Sequence, residues 1–200
     1  MSEVTTGPTT LHPSKVWPLV DNLWCRDLIS PGRNAVSSER EVGTEGKLLL
    51  LAKEDGFLDG VDVHNRKKVF QFKCPSAVNC CTFLSEYEAV AGTEDGSLWI
   101  LDVRSPSCPV GVFRRSSSPI LSLSALGDRA FIASTGGGSC FCWSAELLNR
   151  GRRGEVTSWE LIGPDCEPIY SICRSSNTVY SACRDANIRK YVFRQSELSS

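Results

Sequence analysis

Hydrophobic residues occur in short runs that polar turns interrupt about every ten positions. The stretch "AGTEDGSLWILDVRSP" (91–106) is representative: an acidic Asp-Gly turn lies between two apolar runs, and a Ser-Pro pair follows the second. Short runs rich in β-branched and aromatic residues, bounded by Gly, Asp, Ser and Pro, are typical of β-strands. The pattern therefore predicts β-hairpins and does not favour helices.

The same hairpin recurs along the chain, with related segments at 48–63, 131–146 and 179–193. The equivalent turn positions are Asp55, Asp95, Gly137 and Asp185, at spacings of 40, 42 and 48 residues. The longest interval contains the polar insert "NRGRRG" (149–154), and its removal gives a spacing of 42. A period near 40 residues with several strands per unit is the signature of a β-propeller blade.

The repeat predicts an all-β fold of antiparallel four-stranded blades. The unit around the opening stretch has predicted strands at 79–84, 88–92, 97–103 and 110–115. The next unit has them at 120–126, 130–134, 139–145 and 155–162, and the last at 169–174, 178–183 and 187–193. Blades are expected at about 38–72, 79–115, 120–162 and 169–193 within residues 38–195, after a loop-rich segment 1–37 and before a tail 196–200.

The acidic turn positions have a structural explanation. An Asp between the second and third strands accepts hydrogen bonds from nearby backbone N–H groups, and a following Gly supplies the positive φ of a tight turn. We therefore expect Asp55, Asp95 and Asp185 to stabilise their turns. Where glycines replace the carboxylate, around Gly137, the sequence predicts a softer turn. A shared catalytic role is not expected, because equivalent positions lie far apart around a propeller.

Composition and charge exclude some function classes. The 200 residues are 41% hydrophobic, and 23 acidic against 22 basic side chains give a net charge of −1. No whole-chain field favours nucleic acid or an anionic membrane. The opening "MSEVTTGPTTLHPSK" lacks the apolar core of a secretory signal, and the longest aliphatic run, "LLLLA" (48–52), is too short to span a bilayer. The expected location is the cytoplasm, the nucleus or both.

Ten cysteines raise the question of a metal site. No C-x-x-C pair is present, and only two histidines accompany them. Structural zinc sites normally show close ligand pairs. The sequence predicts reduced cysteines that act as small apolar residues, with no metal and no cofactor. The cysteines are Cys25, Cys74, Cys80, Cys81, Cys108, Cys140, Cys142, Cys166, Cys173 and Cys183.

The units resemble WD40 repeats at the end of the third strand. The dipeptides Val61-Asp62, Leu101-Asp102, Trp143-Ser144 and Tyr191-Val192 fall where the family's Trp-Asp pair usually ends that strand. None keeps the full dipeptide, and no Gly-His pair is present. The resemblance implies a WD40-type β-propeller in which the family's buried Asp–His–Ser/Thr–Trp hydrogen-bond network is incomplete.

A run of collinear segments is similar to the C-terminal part of a narrower WD40 family, the proteasomal ATPase-associated factors. The segments are "SEREVGTEGKLLLLAKEDG" (38–56), "NCCTFL" (79–84), the opening stretch, "FIASTGGGSCF" (131–141) and "CRDANIRKYVF" (183–193). This resemblance implies an assembly chaperone of the proteasome regulatory particle. Its implied partners are proteasomal ATPase subunits, with no small-molecule substrate and no membrane. A generic WD40 interaction module, or a short isoform or fragment without function, is the alternative.

About four blades are expected here, whereas WD40 rings in this family close with about seven, so the resemblance implies a partial propeller. Residues 15–29, "KVWPLVDNLWCRDLI", have two candidate roles. They could supply the outer strand that closes a ring or the inner strand of the first unit. In a partial propeller, open sheet edges would favour association with other chains.

The turns that carry the repeat also provide a candidate partner-binding surface. Glu54, Glu94, Gly136 and Arg184 directly precede the turn positions, and this location commonly faces partners in WD40 domains. Two Glu-Asp pairs predict an acidic edge suited to a basic surface. Solvated turns without a partner are the simpler alternative.

Two other function classes are weaker. Nucleophilic catalysis needs a base, and His64 is the only histidine within the repeats. No G-x-S-x-G, phosphate-binding loop or H-E-x-x-H motif is present, so no catalytic residue is assigned. Nucleic-acid binding could use the arginines of the insert 149–154, or Arg184, Arg189, Lys190 and Arg194. No aromatic array that could stack bases accompanies these residues, so nucleic-acid binding ranks behind protein binding. Trp99, Trp143 and Trp159 are expected to pack between blades.

Overall fold

The computed structural model describes residues 25–29, 48–127, 130–144, 159–161, 166–175 and 178–192. These residues form fifteen β-strands in four antiparallel sheets. The all-β class predicted from the hydrophobic pattern is confirmed.

The strands follow one another in chain order within each sheet. The first sheet contains β1 (Cys25–Ile29), β2 (Leu48–Lys53), β3 (Phe57–Asp62) and β4 (Lys67–Lys73). The second contains β5 (Val78–Phe83), β6 (Glu88–Thr93), β7 (Ser97–Asp102) and β8 (Gly111–Arg114). The third contains β9 (Ile120–Gly127), β10 (Ala130–Thr135), β11 (Cys140–Ser144) and β12 (Trp159–Glu160), and the fourth β13 (Ile169–Ser175), β14 (Thr178–Cys183) and β15 (Ile188–Val192).

Each sheet is a meander whose first strand is innermost. The first strands of successive sheets contact one another, so that β1, β5, β9 and β13 line up along the inside. This is the arrangement of propeller blades. Among the strands described, the predicted bounds agree with those observed within one or two residues. Of the predicted outer strand 155–162, only residues 159–161 are described, and they contain β12.

Residues 25–29 take the second of their two candidate roles. β1 pairs antiparallel with β2 and is the inner strand of the first sheet. The insert 149–154, the tail 196–200 and most of segment 1–37 lie outside the described residues.

Apolar side chains fill the spaces between successive sheets. Leu50 and Leu58 of the first sheet pack with Cys81 and Leu101 of the second. Similar clusters join the second sheet to the third and the third to the fourth; their members include Leu98, Ile100, Phe131 and Phe141, and Ile132, Cys140, Ile172 and Val179. Full burial of one such side chain contributes roughly 1.5–3 kcal/mol, so these interfaces supply the main stabilisation of the stack.

Trp99 and Trp143 pack between sheets, as the sequence predicts, whereas the side chain of Trp159 lies outside the described part of the structure. The Trp99 ring is 5.8 Å from that of Phe72 in the preceding sheet. Trp143 lies 4.5 Å from Phe113 of the preceding sheet and stacks at 5.1 Å on Phe131 of its own. Both indole N–H groups are buried without a hydrogen-bond partner within the described part of the chain, in keeping with the incomplete WD40 network.

Asp62 and Asp102, which end the third strands of the first and second sheets, cap the turns that follow these strands. Asp62 Oδ1 accepts the backbone N–H of His64 at 2.8 Å, and Asp102 Oδ1 accepts that of Arg104 at 2.9 Å. The Arg104 guanidinium also bonds Asp102 and lowers the pKa of this carboxyl to about 2. The Asp of the Trp-Asp position thus orders the third-to-fourth strand connection.

The nine cysteines from Cys74 to Cys183 are all free. Burial raises the pKa of the Cys74, Cys140 and Cys142 thiols to about 12, so these groups stay protonated and behave as small apolar side chains. The buried cysteines are Cys74, Cys80, Cys81, Cys140, Cys142 and Cys183.

Candidate protein-binding rim

The four second-to-third strand turns form one edge of the molecule together with the loops between sheets. We call this edge the turn rim; it comprises turns 54–56, 94–96, 136–138 and 184–186 and loops 74–77, 115–119 and 166–168. In the second sheet, Glu94 N donates to Ala77 O at 2.9 Å. Gly136 N donates to Pro119 O at 2.8 Å, and Arg184 N donates to Pro168 O at 2.9 Å. One repeated hydrogen bond therefore joins each of these turns to the loop that enters its own sheet.

The turns of the first three sheets also pack against the loops that leave these sheets. A Cβ added at Gly56 would lie 2.8 Å from Ser76 O, and one at Gly96 would lie 2.3 Å from Ser116 O. A Cβ at Gly138 would meet the Cys166 backbone at 2.8 Å. From the first sheet to the fourth, each of these turns therefore contacts the loop that follows its sheet, and that loop contacts the next turn. The rim is thus a continuous backbone surface.

The turn aspartates make the bonds that the sequence predicts. Asp55 Oδ1 accepts the N–H of Phe57 at 3.2 Å, and Asp95 Oδ1 accepts that of Ser97 at 3.2 Å. Asp185 Oδ1 accepts the N–H of Asn187 at 3.0 Å. In each case the carboxylate bonds the N–H two residues later, which closes the turn.

The residue after each turn position adopts positive φ. Gly56 and Gly96 have φ of 84°, and Gly138 has 86°. In the fourth sheet Ala186 takes this place with φ of 62°. A left-handed residue with a Cβ costs roughly 1–2 kcal/mol, so the fourth turn retains the geometry at an energetic cost.

The glycine turn of the third sheet has side-chain hydrogen bonds that its composition does not suggest. Ser139 N donates to Thr135 Oγ1 at 3.0 Å, and this hydroxyl donates to Ser139 O at 3.1 Å. Thr135 is buried. The threonine hydroxyl therefore replaces the missing carboxylate. The signal was present in the sequence, because T-x-x-G-S occurs at both Thr93 and Thr135.

The predicted partner-binding residues lie on this rim with exposed side chains. Glu54 and Glu94 project from adjacent sheets, and Glu94 Oε2 accepts the Asn79 amide at 2.7 Å. Arg184 lies on the fourth sheet with its Nε 3.8 Å from Glu167 Oε2. The rim is thus acidic on its first two sheets and of mixed charge on the fourth, where sequence spacing could not reveal Glu167.

Cations or hydrogen-bond donors lie close to two of the turn aspartates. Lys53 Nζ lies 3.5 Å from Asp55 Oδ2, and Lys73 Nζ donates to Asp55 O. Burial raises the pKa of the Asp95 carboxyl, but hydrogen bonds from Thr93 and Ser97 outweigh it, and the net pKa is below the ordinary value. The aspartates stabilise the turns, and Glu54 and Glu94 present the outward charge.

Two of the basic residues considered for nucleic-acid binding lie beside carboxylates. Arg189 bonds Asp185 at 2.5 Å, and Arg184 lies near Glu167. Lys190 is exposed on β15, whereas Arg194 and the insert 149–154 fall outside the described residues.

Three further observations concern catalysis, metal binding and membrane crossing. His64 is exposed in the β3–β4 turn. In the portion of the chain that the structure covers, no cluster of three His, Cys, Asp or Glu side chains could hold a metal ion. Over the same residues, no helix has the length and apolar character needed to cross a membrane.

Comparison with curated proteins identifies relatives of one kind. The chain is 48% identical over 154 residues to proteasomal ATPase-associated factor 1 of Homo sapiens and 45% identical to that of Bos taurus. These alignments cover 77% of this chain and 37% of each relative, so the chain spans little over a third of the relatives' length. A probable proteasomal ATPase-associated factor 1 of Dictyostelium discoideum is 29% identical over 187 residues, 86% of this chain and 42% of that protein. No family model matches.

Solved structures support the fold. The WD40 β-propeller domain of Doa1 superposes with a TM-score of 0.67 at 14% identity, over 88% of this chain and 53% of that one. The computationally designed Ika4 protein gives a TM-score of 0.60 at 14% identity, over 82% of this chain and 100% of that one. The WD40-type propeller architecture is thereby confirmed.

Proposed function

Because the chain is homologous to the proteasomal ATPase-associated factors and has a WD40-type propeller fold, we propose that it is a non-catalytic scaffold for proteasomal ATPase subunits. In this proposal it regulates assembly of the proteasome regulatory particle. It acts in the cytoplasm, the nucleus or both, and it needs no cofactor. Imaging of the tagged full chain in cells tests the location.

The turn rim is the observation that supports binding. Its turns and loops are joined by a repeated backbone hydrogen bond, so the side chains above them start from fixed positions. A pre-ordered surface binds at a smaller entropic cost than a mobile one. Glu54 and Glu94 give this surface negative charge, which fits a Lys- or Arg-rich surface on an ATPase subunit.

Charge reversal tests the proposal. We expect Glu54→Lys with Glu94→Lys to weaken capture of purified proteasomal ATPase subunits about tenfold, or roughly 1.4 kcal/mol. The single variants should each have a smaller effect. Glu86→Lys is the matched control, because Glu86 is exposed in the β5–β6 connection, at the opposite end of β6 from Glu94.

Circular dichroism establishes that the variants are folded. Equal capture by the folded double variant and the parent would remove Glu54 and Glu94 from the site. Capture of unrelated proteins but no ATPase subunit would favour the generic interaction module. Turnover of a substrate by the purified chain would contradict the non-catalytic role.

A further inference from the structure

The loop between the second and third sheets contains the only Arg-Arg-x-Ser sequence in the chain. Residues 114–119 read "RRSSSP". Arg114 ends β8, the outer strand of its sheet, and Arg115 follows it. Both side chains are exposed. Two guanidinium groups therefore stand at an accessible sheet edge directly before three serines.

The three serines differ in their surroundings. Ser116 Oγ accepts the N–H of Ser118 at 3.2 Å, which fixes the loop from inside. Ser118 is half-buried, and a Cβ added at Gly137 would lie 2.5 Å from its Oγ. Ser117 is exposed, and its side chain makes no hydrogen bond to any residue that the structure describes. Of the three hydroxyls, that of Ser117 is thus the one that is both exposed and free of a hydrogen bond within the described residues.

We propose that Ser117 is a phosphorylation site for an arginine-directed serine/threonine kinase. Kinases discriminate substrates by charge patterns, and acidic pockets of this class contact guanidinium groups two and three residues before the acceptor. Arg115 and Arg114 occupy these two positions. Ser117 Oγ attacks the γ-phosphorus of MgATP, the bond to the β-phosphate oxygen breaks, ADP leaves, and the hydroxyl proton passes to the kinase's catalytic aspartate.

A phosphate on Ser117 would add negative charge to the turn rim, because the serine loop belongs to this rim. A Cβ added at Gly96 would lie 2.3 Å from Ser116 O and 2.7 Å from Ser118 O, so the serine loop lies directly against the turn that carries Glu94. A phosphoserine adds a charge of about −1.5 to −2 at pH 7. The charge of Arg115 is already partly offset by Glu160, whose Oε2 lies 3.0 Å away. Phosphorylation therefore strengthens the acidic character of the turn rim.

This consequence rests on the proposed function, since it concerns the same rim. A basic surface on an ATPase subunit would be attracted more strongly by the phosphorylated chain. The added attraction should be sensitive to salt, because exposed charges are screened over about 8 Å at physiological ionic strength.

Phosphate incorporation tests the acceptor independently of any partner. The folded full chain is incubated with MgATP and the catalytic subunit of cyclic-AMP-dependent protein kinase, and fragment mass spectrometry locates the phosphate. We expect one phosphate on Ser117, none with Ser117→Ala, and normal incorporation with the matched controls Ser116→Ala and Ser118→Ala. Arg114→Ala with Arg115→Ala should slow incorporation about tenfold or more. No incorporation into the folded chain, or phosphate on Ser116 or Ser118, would overturn the proposal.

Capture of ATPase subunits then tests the consequence. The phosphorylated chain should capture them about three- to tenfold more tightly than the unmodified chain at low salt, with the gain lost at high salt. Equal capture, under conditions where Glu54→Lys with Glu94→Lys weakens it, would overturn the effect on the rim. If neither form captures ATPase subunits, the proposed function and this consequence both fail, whereas the acceptor assignment stands on the mass spectrum.

Discussion

The second and fourth sheets contain the same hairpin but differ in packing. The second sheet has apolar neighbours on both faces, and Leu98 of β7 is 2% exposed. In the fourth sheet one face packs on the third, whereas Ile188 and Val192 on β15 are 77% and 61% exposed. Ile188 holds the position equivalent to Leu98, three residues after the turn aspartate.

The turns of these two sheets are nevertheless alike. Asp95 and Asp185 bond the backbone N–H two residues later at 3.2 and 3.0 Å, and Gly96 and Ala186 both have positive φ. The geometry of a hairpin therefore follows from the residues within it, whereas the burial of its side chains depends on the neighbouring sheets. Substitutions at equivalent positions should separate these two contributions.

The largest expected effect concerns packing. Leu98→Ala should lower the free energy of unfolding by about 2–5 kcal/mol, because a fully buried side chain leaves a cavity. Ile188→Ala should change it by about 0.5 kcal/mol or less, since this side chain loses little contact. Urea unfolding monitored by tryptophan fluorescence measures both. Equal destabilisation would show that the outer face of the fourth sheet is covered in solution.

The next effect concerns backbone sterics in the turn. Gly96→Ala should cost about 1–3 kcal/mol, because φ is 84° and the new Cβ would lie 2.3 Å from Ser116 O. Ala186→Gly should change stability by about 0.5 kcal/mol or less, because relief of strain is opposed by the greater freedom of glycine in the unfolded chain. Thermal melts of both variants provide the measurement. Destabilisation by Ala186→Gly comparable to that by Gly96→Ala would contradict the shared geometry.

A smaller effect is expected from the turn carboxylates. Asp95 accepts hydrogen bonds from the Ser97 backbone, the Ser97 hydroxyl at 3.0 Å and the Thr93 hydroxyl at 2.6 Å. Asp95→Ala should therefore cost about 1–2 kcal/mol. Thr135→Val should destabilise the third-sheet turn to a similar extent, because its hydroxyl replaces the carboxylate. A neutral Thr135→Val substitution would instead support the softer turn that the glycines predict.

Features that depend on nearby residues could be predicted from the sequence, whereas contacts between distant residues could not. Strand positions and the bonds of Asp55, Asp95 and Asp185 were predictable, because they depend on residues within a few positions. The role of Thr135 was missed, although its spacing from Ser139 matches that of Thr93 from Ser97. Contacts between distant residues, such as Asn79 with Glu94 or Arg184 with Glu167, could not be predicted, because the repeat fixes which turns share a rim but not which side chains meet there.

The smallest effect is a pH dependence that separates the carboxylate turn of the second sheet from the hydroxyl turn of the third. The net pKa of Asp95 is below its ordinary value of 3.8. A carboxyl whose pKa is lower in the folded chain adds stability above the unfolded pKa and loses it as the pH falls through the folded value. The difference in melting temperature between the parent and Asp95→Asn should therefore shrink below about pH 4. Other acidic groups titrate in both proteins and cancel in this difference. The gap between the parent and Thr135→Val should stay constant, because no carboxylate acts in that turn; a gap that narrows equally for both variants would mean that acid weakens the whole stack of sheets and not the Asp95 turn.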